Sequence, residues 1–94
     1  MTAFNIQHHV SLAPGVRWQI DRATGDAVLL FPEGILLLNE TAREVVARCD
    51  GKKTAAEIVS QLAAEYEAPA EELEKDVVEC LVNLRDKRLV VLTP

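Results

Sequence analysis

Few side chains in this 94-residue chain are of types that do chemistry, and their spacing limits what they could do. His8 and His9 are adjacent in an alternating stretch. Neighbouring side chains on a strand point to opposite faces, so the two cannot chelate one ion in regular geometry. No cysteine pair or carboxylate stands near them to complete a metal site. Cys49 and Cys80 lie far apart, lack a CxxC partner and fall in helix-like contexts, which predicts reduced, buried thiols rather than a disulfide or redox pair. The glutamates between Glu71 and Glu79 follow helical spacing and read as a solvated face rather than an acid–base pair. No GxSxG, HExxH, phosphate-binding loop or dinucleotide fingerprint occurs. The expectation is a protein that is not an enzyme, with no catalytic residues, no cofactor and no metal.

Chemistry of another kind is available at Pro32-Glu33-Gly34-Ile35-Leu36-Leu37-Leu38-Asn39. Four consecutive aliphatic residues leave no polar face, so a strand here wants apolar cover on both sides. The run is too short for a helix; Pro32 and Gly34 break the chain before it, and Asn39 is a helix-capping residue after it. Helices within the chain can cover one face. What covers the other is the functional question.

The elements that must position this strand follow from pattern. Phe4, Ile6, His8, Val10 and Leu12 alternate with polar neighbours, and Ala13-Pro14-Gly15 makes a turn. Residues 1–15 are expected to form an extended N-terminal arm, held either by its own domain or by a neighbouring molecule, and 16–94 the folded domain. Val16 to Asp21 alternates with Val16, Trp18 and Ile20 inward, Arg22 to Asp26 is a hairpin loop, and Ala27 to Phe31 returns. Three helices follow. Asn39 caps the first, which Asp50-Gly51 ends. Thr54-Ala55-Ala56-Glu57 is a capping box for the second. The third starts after Pro69, carries Glu71 and Glu72 in its first turn, and ends near Lys87; Leu89 to Leu92 is a last extended piece. The fold class is α+β: a three-stranded antiparallel sheet followed by three helices, in the manner of a winged helix-turn-helix domain.

The third helix has an apolar stripe of Leu73, Val77, Cys80, Leu81 and Leu84, with Val78 and Val82 lying about 100–140° around from Val77 and Arg85 beside them. Two readings stand for Val78 and Val82: packing on the sheet or second helix, or lining a groove beside Ile35–Leu38. An open strand edge next to an apolar helix face suits strand addition by an extended peptide.

Charge and composition narrow the partners. A net charge of −5 opposes nucleic acid and anionic membrane surfaces. A reading helix for DNA would need basic or amide side chains, whereas the second helix offers Glu57, Ser60, Gln61, Glu65 and Glu67. No apolar run approaches the roughly 18 residues of a spanning segment. No basic start precedes an apolar core, so no signal peptide is expected and the location is taken as cytoplasmic.

The order and spacing of Leu12-Ala13-Pro14-Gly15-Val16-Arg17, Leu29 to Asn39, Cys49-Asp50-Gly51, Ala56-Glu57-Ile58-Val59 and Leu84-Arg85-Asp86-Lys87-Arg88-Leu89 resemble the PqqD family, the coenzyme PQQ synthesis protein D. The resemblance runs from Leu12 to Leu92; the arm before it is not part of the pattern, and Arg88 stands where a glycine is expected. It implies three strands followed by three helices and a peptide chaperone in pyrroloquinoline quinone biosynthesis. Such a chaperone binds the precursor peptide PqqA and presents it to PqqE, a radical SAM enzyme. The wider group recognises leader peptides in other modified-peptide pathways, which is the alternative function; a winged-helix DNA-binding regulator is a further one. Carried onto this chain, the implied peptide site is Ile35, Leu36, Leu37 and Leu38 with Val78, Val82 and Arg85. Homodimerisation through the arm or the sheet edge is an additional expectation.

Overall fold

The computed structural model describes residues 4–94; the first three positions of the expected arm lie outside the described residues. The chain runs β1 (His9–Leu12), β2 (Arg17–Ile20), β3 (Ala27–Phe31), β4 (Gly34–Leu38), α1 (Glu40–Val46), β5 (Asp50–Thr54), α2 (Ala55–Tyr66), α3 (Ala70–Asp86) and β6 (Val90–Thr93). Among the described residues these form two three-stranded antiparallel sheets, ordered β2-β3-β4 and β5-β1-β6, with three helices.

The first sheet is the expected meander. Gly25, at φ +79°, lets the β2–β3 loop close; its N–H donates to the Asp21 carbonyl over 2.7 Å. Pro32 and Glu33 form the two-residue β3–β4 connection, with Phe31 opposite Gly34 and Ala27 opposite Leu38. Leu29 and Leu38 are buried. Trp18 and Ile20, expected inward, share the face of Leu29 and Ala27 but stay 36 % and 38 % exposed, because β2 is the edge strand and cover runs out there.

The second sheet was not foreseen. His9–Leu12, placed by sequence in a separate arm, forms its centre within this chain: Val10 is fully buried and lies opposite Leu92. The alternation from Phe4 to Leu12 is strand only in its last four residues. Asn5 interrupts the rest, its Oδ1 accepting from the Gln7 N–H (2.9 Å) and its carbonyl from the His8 N–H (3.1 Å). Asp50-Gly51, expected to end α1, instead opens the strand Asp50–Thr54, which pairs with β1. Its composition carries little strand signal, so only its partner makes it one.

Helix ends follow their capping residues. Asn39 Oδ1 accepts from the Ala42 N–H over 2.8 Å, and Thr54 and Glu57 close a reciprocal capping box. Two first-turn N–H groups of α2, those of Ala55 and Ala56, donate to the carbonyls of His8 and Ile6, so the N-terminal segment also caps this helix. Arg48, in the turn after α1, joins α1 to α2: it donates to the Glu44 carbonyl and carboxylate, to Gln61 and to Glu65. The core draws on both sheets and all three helices, including Val10, Leu29, Leu38, Val45, Ile58, Leu62, Val77 and Leu81.

Candidate functional site

Four strands end the two sheets, and three of them carry features that discourage pairing. β5 carries Lys52 and Lys53, β6 has four residues and is followed by Pro94, and β2 displays Arg17 and Gln19. β4 alone is apolar throughout: Gly-Ile-Leu-Leu-Leu. Its pairing with β3 also indicates which backbone groups are free. The pair that closes a two-residue hairpin loop bonds across it, and bonded and non-bonded pairs then alternate. Counting from Phe31–Gly34, Leu36 and Leu38 bond inward to β3. Ile35 and Leu37 turn their N–H and C=O groups to the open edge.

Beside that edge runs a groove of about 360 Å³. Leu36, Leu37 and Leu38 form one wall, with Asn39, Thr41 and Ala42 at the start of α1. The other wall is α3, through Asp76, Glu79, Cys80, Asn83, Leu84 and Lys87. Apolar residues lie deep in it: Leu38 and Leu84 are buried, and Leu36, Ala42 and Cys80 pack against the core. Polar groups make the rim. Ile35 and Leu37, on the opposite face of β4, are 68 % and 66 % exposed, so this chain covers one face of the aliphatic run and leaves the other bare.

The groove uses a different flank of α3 from the one expected. Val78, Val82 and Arg85 do not line it. They lie about 80–140° from Val77 in one sense, and the groove residues about 20–160° in the other. Val78 and Val82 are partly buried, and the Arg85 guanidinium sits 6.0 Å from the centre of the Phe4 ring. Of the predicted site residues, the fold therefore gathers Leu36, Leu37 and Leu38 at the groove with Ile35 on the same edge, and holds the three α3 residues apart from them. Sequence reading missed the whole α3 wall of the groove, Asp76, Glu79, Cys80, Asn83, Leu84 and Lys87, and its end at the start of α1. The signal available was Cys80, which sits at one margin of the apolar stripe, but Val78 and Val82 flank the other margin equally well.

Both cysteines are free thiols. Burial pushes the Cys80 thiol up to about 11, and burial first, then the nearby Cys80 and Asp50, pushes Cys49 up to about 12. Both stay protonated at neutral pH and act as small apolar groups. Cys49 Sγ donates to the Val45 carbonyl over 3.2 Å. Among the described residues no group of three or more His, Cys, Asp or Glu side chains is arranged to hold a metal ion. No helix among them is long and apolar enough to cross a membrane.

A protein of Xanthomonas oryzae pathovar oryzae named PqqA binding protein is 45 % identical over 82 residues, covering 87 % of this chain and 89 % of its own. Another strain's protein of that name is 40 % identical over 92 residues, covering 98 % of this chain and 100 % of its own. The solution structure of a PqqD truncation of Methylobacterium extorquens PqqCD, described as a stand-alone recognition element for ribosomally made, modified peptides, superposes with a TM-score of 0.82 at 32 % identity, covering 96 % of both chains. The crystal structure of PqqD from Xanthomonas campestris gives 0.59 at 46 % identity, covering 84 % of this chain and 88 % of that one. The family model for coenzyme PQQ synthesis protein D matches residues 26–90, a span that contains β4, α3 and the whole groove between them. With those relatives at that coverage, the chain belongs to the PqqD family.

Proposed function

We propose that this protein is a peptide chaperone of pyrroloquinoline quinone biosynthesis that binds PqqA by strand addition along β4 and presents it to the radical SAM enzyme PqqE. The observation that carries the reading is the apolar, unpaired β4 edge lying directly beside the α3 groove. The names of the relatives supply the ligand, since they are PqqA binding proteins. Presentation to PqqE follows from the family resemblance alone, as does a role without catalysis.

The energetics suit a carrier. Ile35 and Leu37 together offer two donors and two acceptors, each bond contributing about 0.5–1.5 kcal/mol net. One or two guest aliphatic side chains buried against Cys80, Leu84 and Ala42 add about 1.5–3 kcal/mol each. Ordering a flexible peptide offsets part of this. The gross sum is about 3.5–12 kcal/mol, and against an association cost of at least about 4 kcal/mol the surplus reaches about 8 kcal/mol at most, or micromolar affinity at the tightest, loose enough for release. Titration of isotope-labelled protein with PqqA is the test. Amide shifts are expected at Ile35–Leu38, Cys80 and Leu84. Saturable binding with shifts confined to the β5–β1–β6 sheet would reject this site.

A further inference from the structure

The groove carries more information than an apolar slot. Its α3 rim is polarised: Asp76 and Glu79 stand toward the N-terminal end and Lys87 at the C-terminal end, with neutral Asn83 between. None of the three is tied up in an ion pair within the chain among the described residues; the pairs present are Arg48 with Glu44 and Glu65, Lys53 with Asp50, and Arg85 with Asp86. Asp76 and Lys87 are eleven residues apart on one helix, or about 16 Å. An extended peptide covers that distance in about five residues.

The bare face of β4 supplies a second constraint. A strand added at the edge continues the sheet, so its alternate side chains fall on both faces. Those on one side enter the groove. Those on the other lie next to Ile35 and Leu37, which are two-thirds exposed. A guest amphipathic in the ordinary alternating sense would set polar groups against them. A guest with aliphatic residues in succession covers both.

We infer that the groove takes an extended peptide segment of about five residues, aliphatic on both faces of its strand, with a basic side chain at the end that meets Asp76 and Glu79 and an acidic one at the end that meets Lys87. This rests on the peptide-binding reading above and deepens it: α3 then fixes the direction in which the guest lies. Backbone pairing alone does not set direction, because an edge strand accepts parallel or antiparallel partners.

The test uses the full chain and PqqA, by calorimetric titration at two salt concentrations. The double variant Asp76→Lys/Glu79→Lys changes exposed side chains only and leaves the core intact. It is expected to weaken PqqA at least fivefold at low salt, with a smaller effect at high salt. A PqqA variant with its basic residues replaced by Glu is expected to recover affinity for that protein. Ile35→Thr/Leu37→Thr, which keeps strand-forming residues, is expected to weaken binding at least fivefold with no change in sedimentation. Unchanged PqqA affinity in the charge-reversed protein would overturn the polarity. Unchanged affinity in the threonine variant would overturn the two-faced guest; loss of a self-association at the same time would assign the bare face to a second copy. If the wild-type chain fails to bind PqqA at all, the underlying peptide reading falls instead, so the two failures are distinct.

Discussion

Arg88 and Glu67 are the two non-glycine residues with positive φ among the described residues. Arg88 adopts φ +61° just after α3, where its N–H donates to the Arg85 carbonyl and the next N–H, that of Leu89, donates to the Leu84 carbonyl. This is the Schellman arrangement that ends many helices, with Leu84 and Leu89 both buried beneath it. Glycine occupies that left-handed position at little steric cost, and other residues pay roughly 1 kcal/mol. Arg88→Gly is expected to raise stability by about 0.5–1 kcal/mol, read as a higher urea midpoint with unchanged slope. A lower midpoint would mean that Arg88 makes contacts outweighing its strain. Two exposed carboxylates are held below their usual range. The Lys53 ammonium first, then the Lys52 N–H, hold Asp50 down at about 2, and the Thr54 backbone and hydroxyl hold Glu57 below its usual range. Lowered folded-state values mean that the unfolded chain takes up more protons, so this stability is present above the ordinary carboxylate range and drains away as pH falls through it. Urea midpoints measured between pH 5 and about 2 should decline, and Asp50→Asn/Glu57→Gln should flatten that decline. An equally steep decline in the variant would place the acid sensitivity elsewhere.

At the scale of elements, β4 and α3 divide the work of recognition: the strand offers backbone and the helix offers shape and charge. The two contributions can be separated by mutation. Proline at position 37 removes an N–H that faces outward and leaves the β3 ladder intact, which edge strands tolerate. Leu37→Pro is expected to weaken PqqA binding more than tenfold, and Leu37→Ala, which keeps the N–H, by much less. Val82→Asp, on the far flank of α3, is expected to leave binding within about twofold. Calorimetric titration of the three variants decides. If Val82→Asp proves the damaging one, the guest lies along the other side of the helix, over Arg85 and Phe4.

Viewed whole, the molecule is knit together by its N-terminal segment. Val10 is fully buried, β1 joins β5 to β6, and the His8 and Ile6 carbonyls cap α2. Deleting residues 1–11 removes most of β1 and leaves β5 and β6 without a partner. The expected result is loss of most of the 5–15 kcal/mol typical of a small domain, seen as loss of a cooperative thermal transition. A truncated chain that melts sharply near the full-length temperature would show that residues 12–94 stand alone.

Local chemistry was readable directly from the chain. The Asn39 cap, the Thr54–Glu57 capping box, the Pro69 helix start and the Ala27–Leu38 hairpin were legible because each depends on contacts within a few residues. So was the aliphatic run of β4, since no turn or helix accommodates it. The second sheet was not legible, because β5 is a strand only by virtue of β1, some forty residues earlier in the sequence. Nor was the choice between the two flanks of α3. Cys80 and Val82 are equally apolar neighbours of one stripe, and helical periodicity is symmetric about it. Only the side on which β4 docks, a matter of packing between distant segments, decides which flank lines the groove.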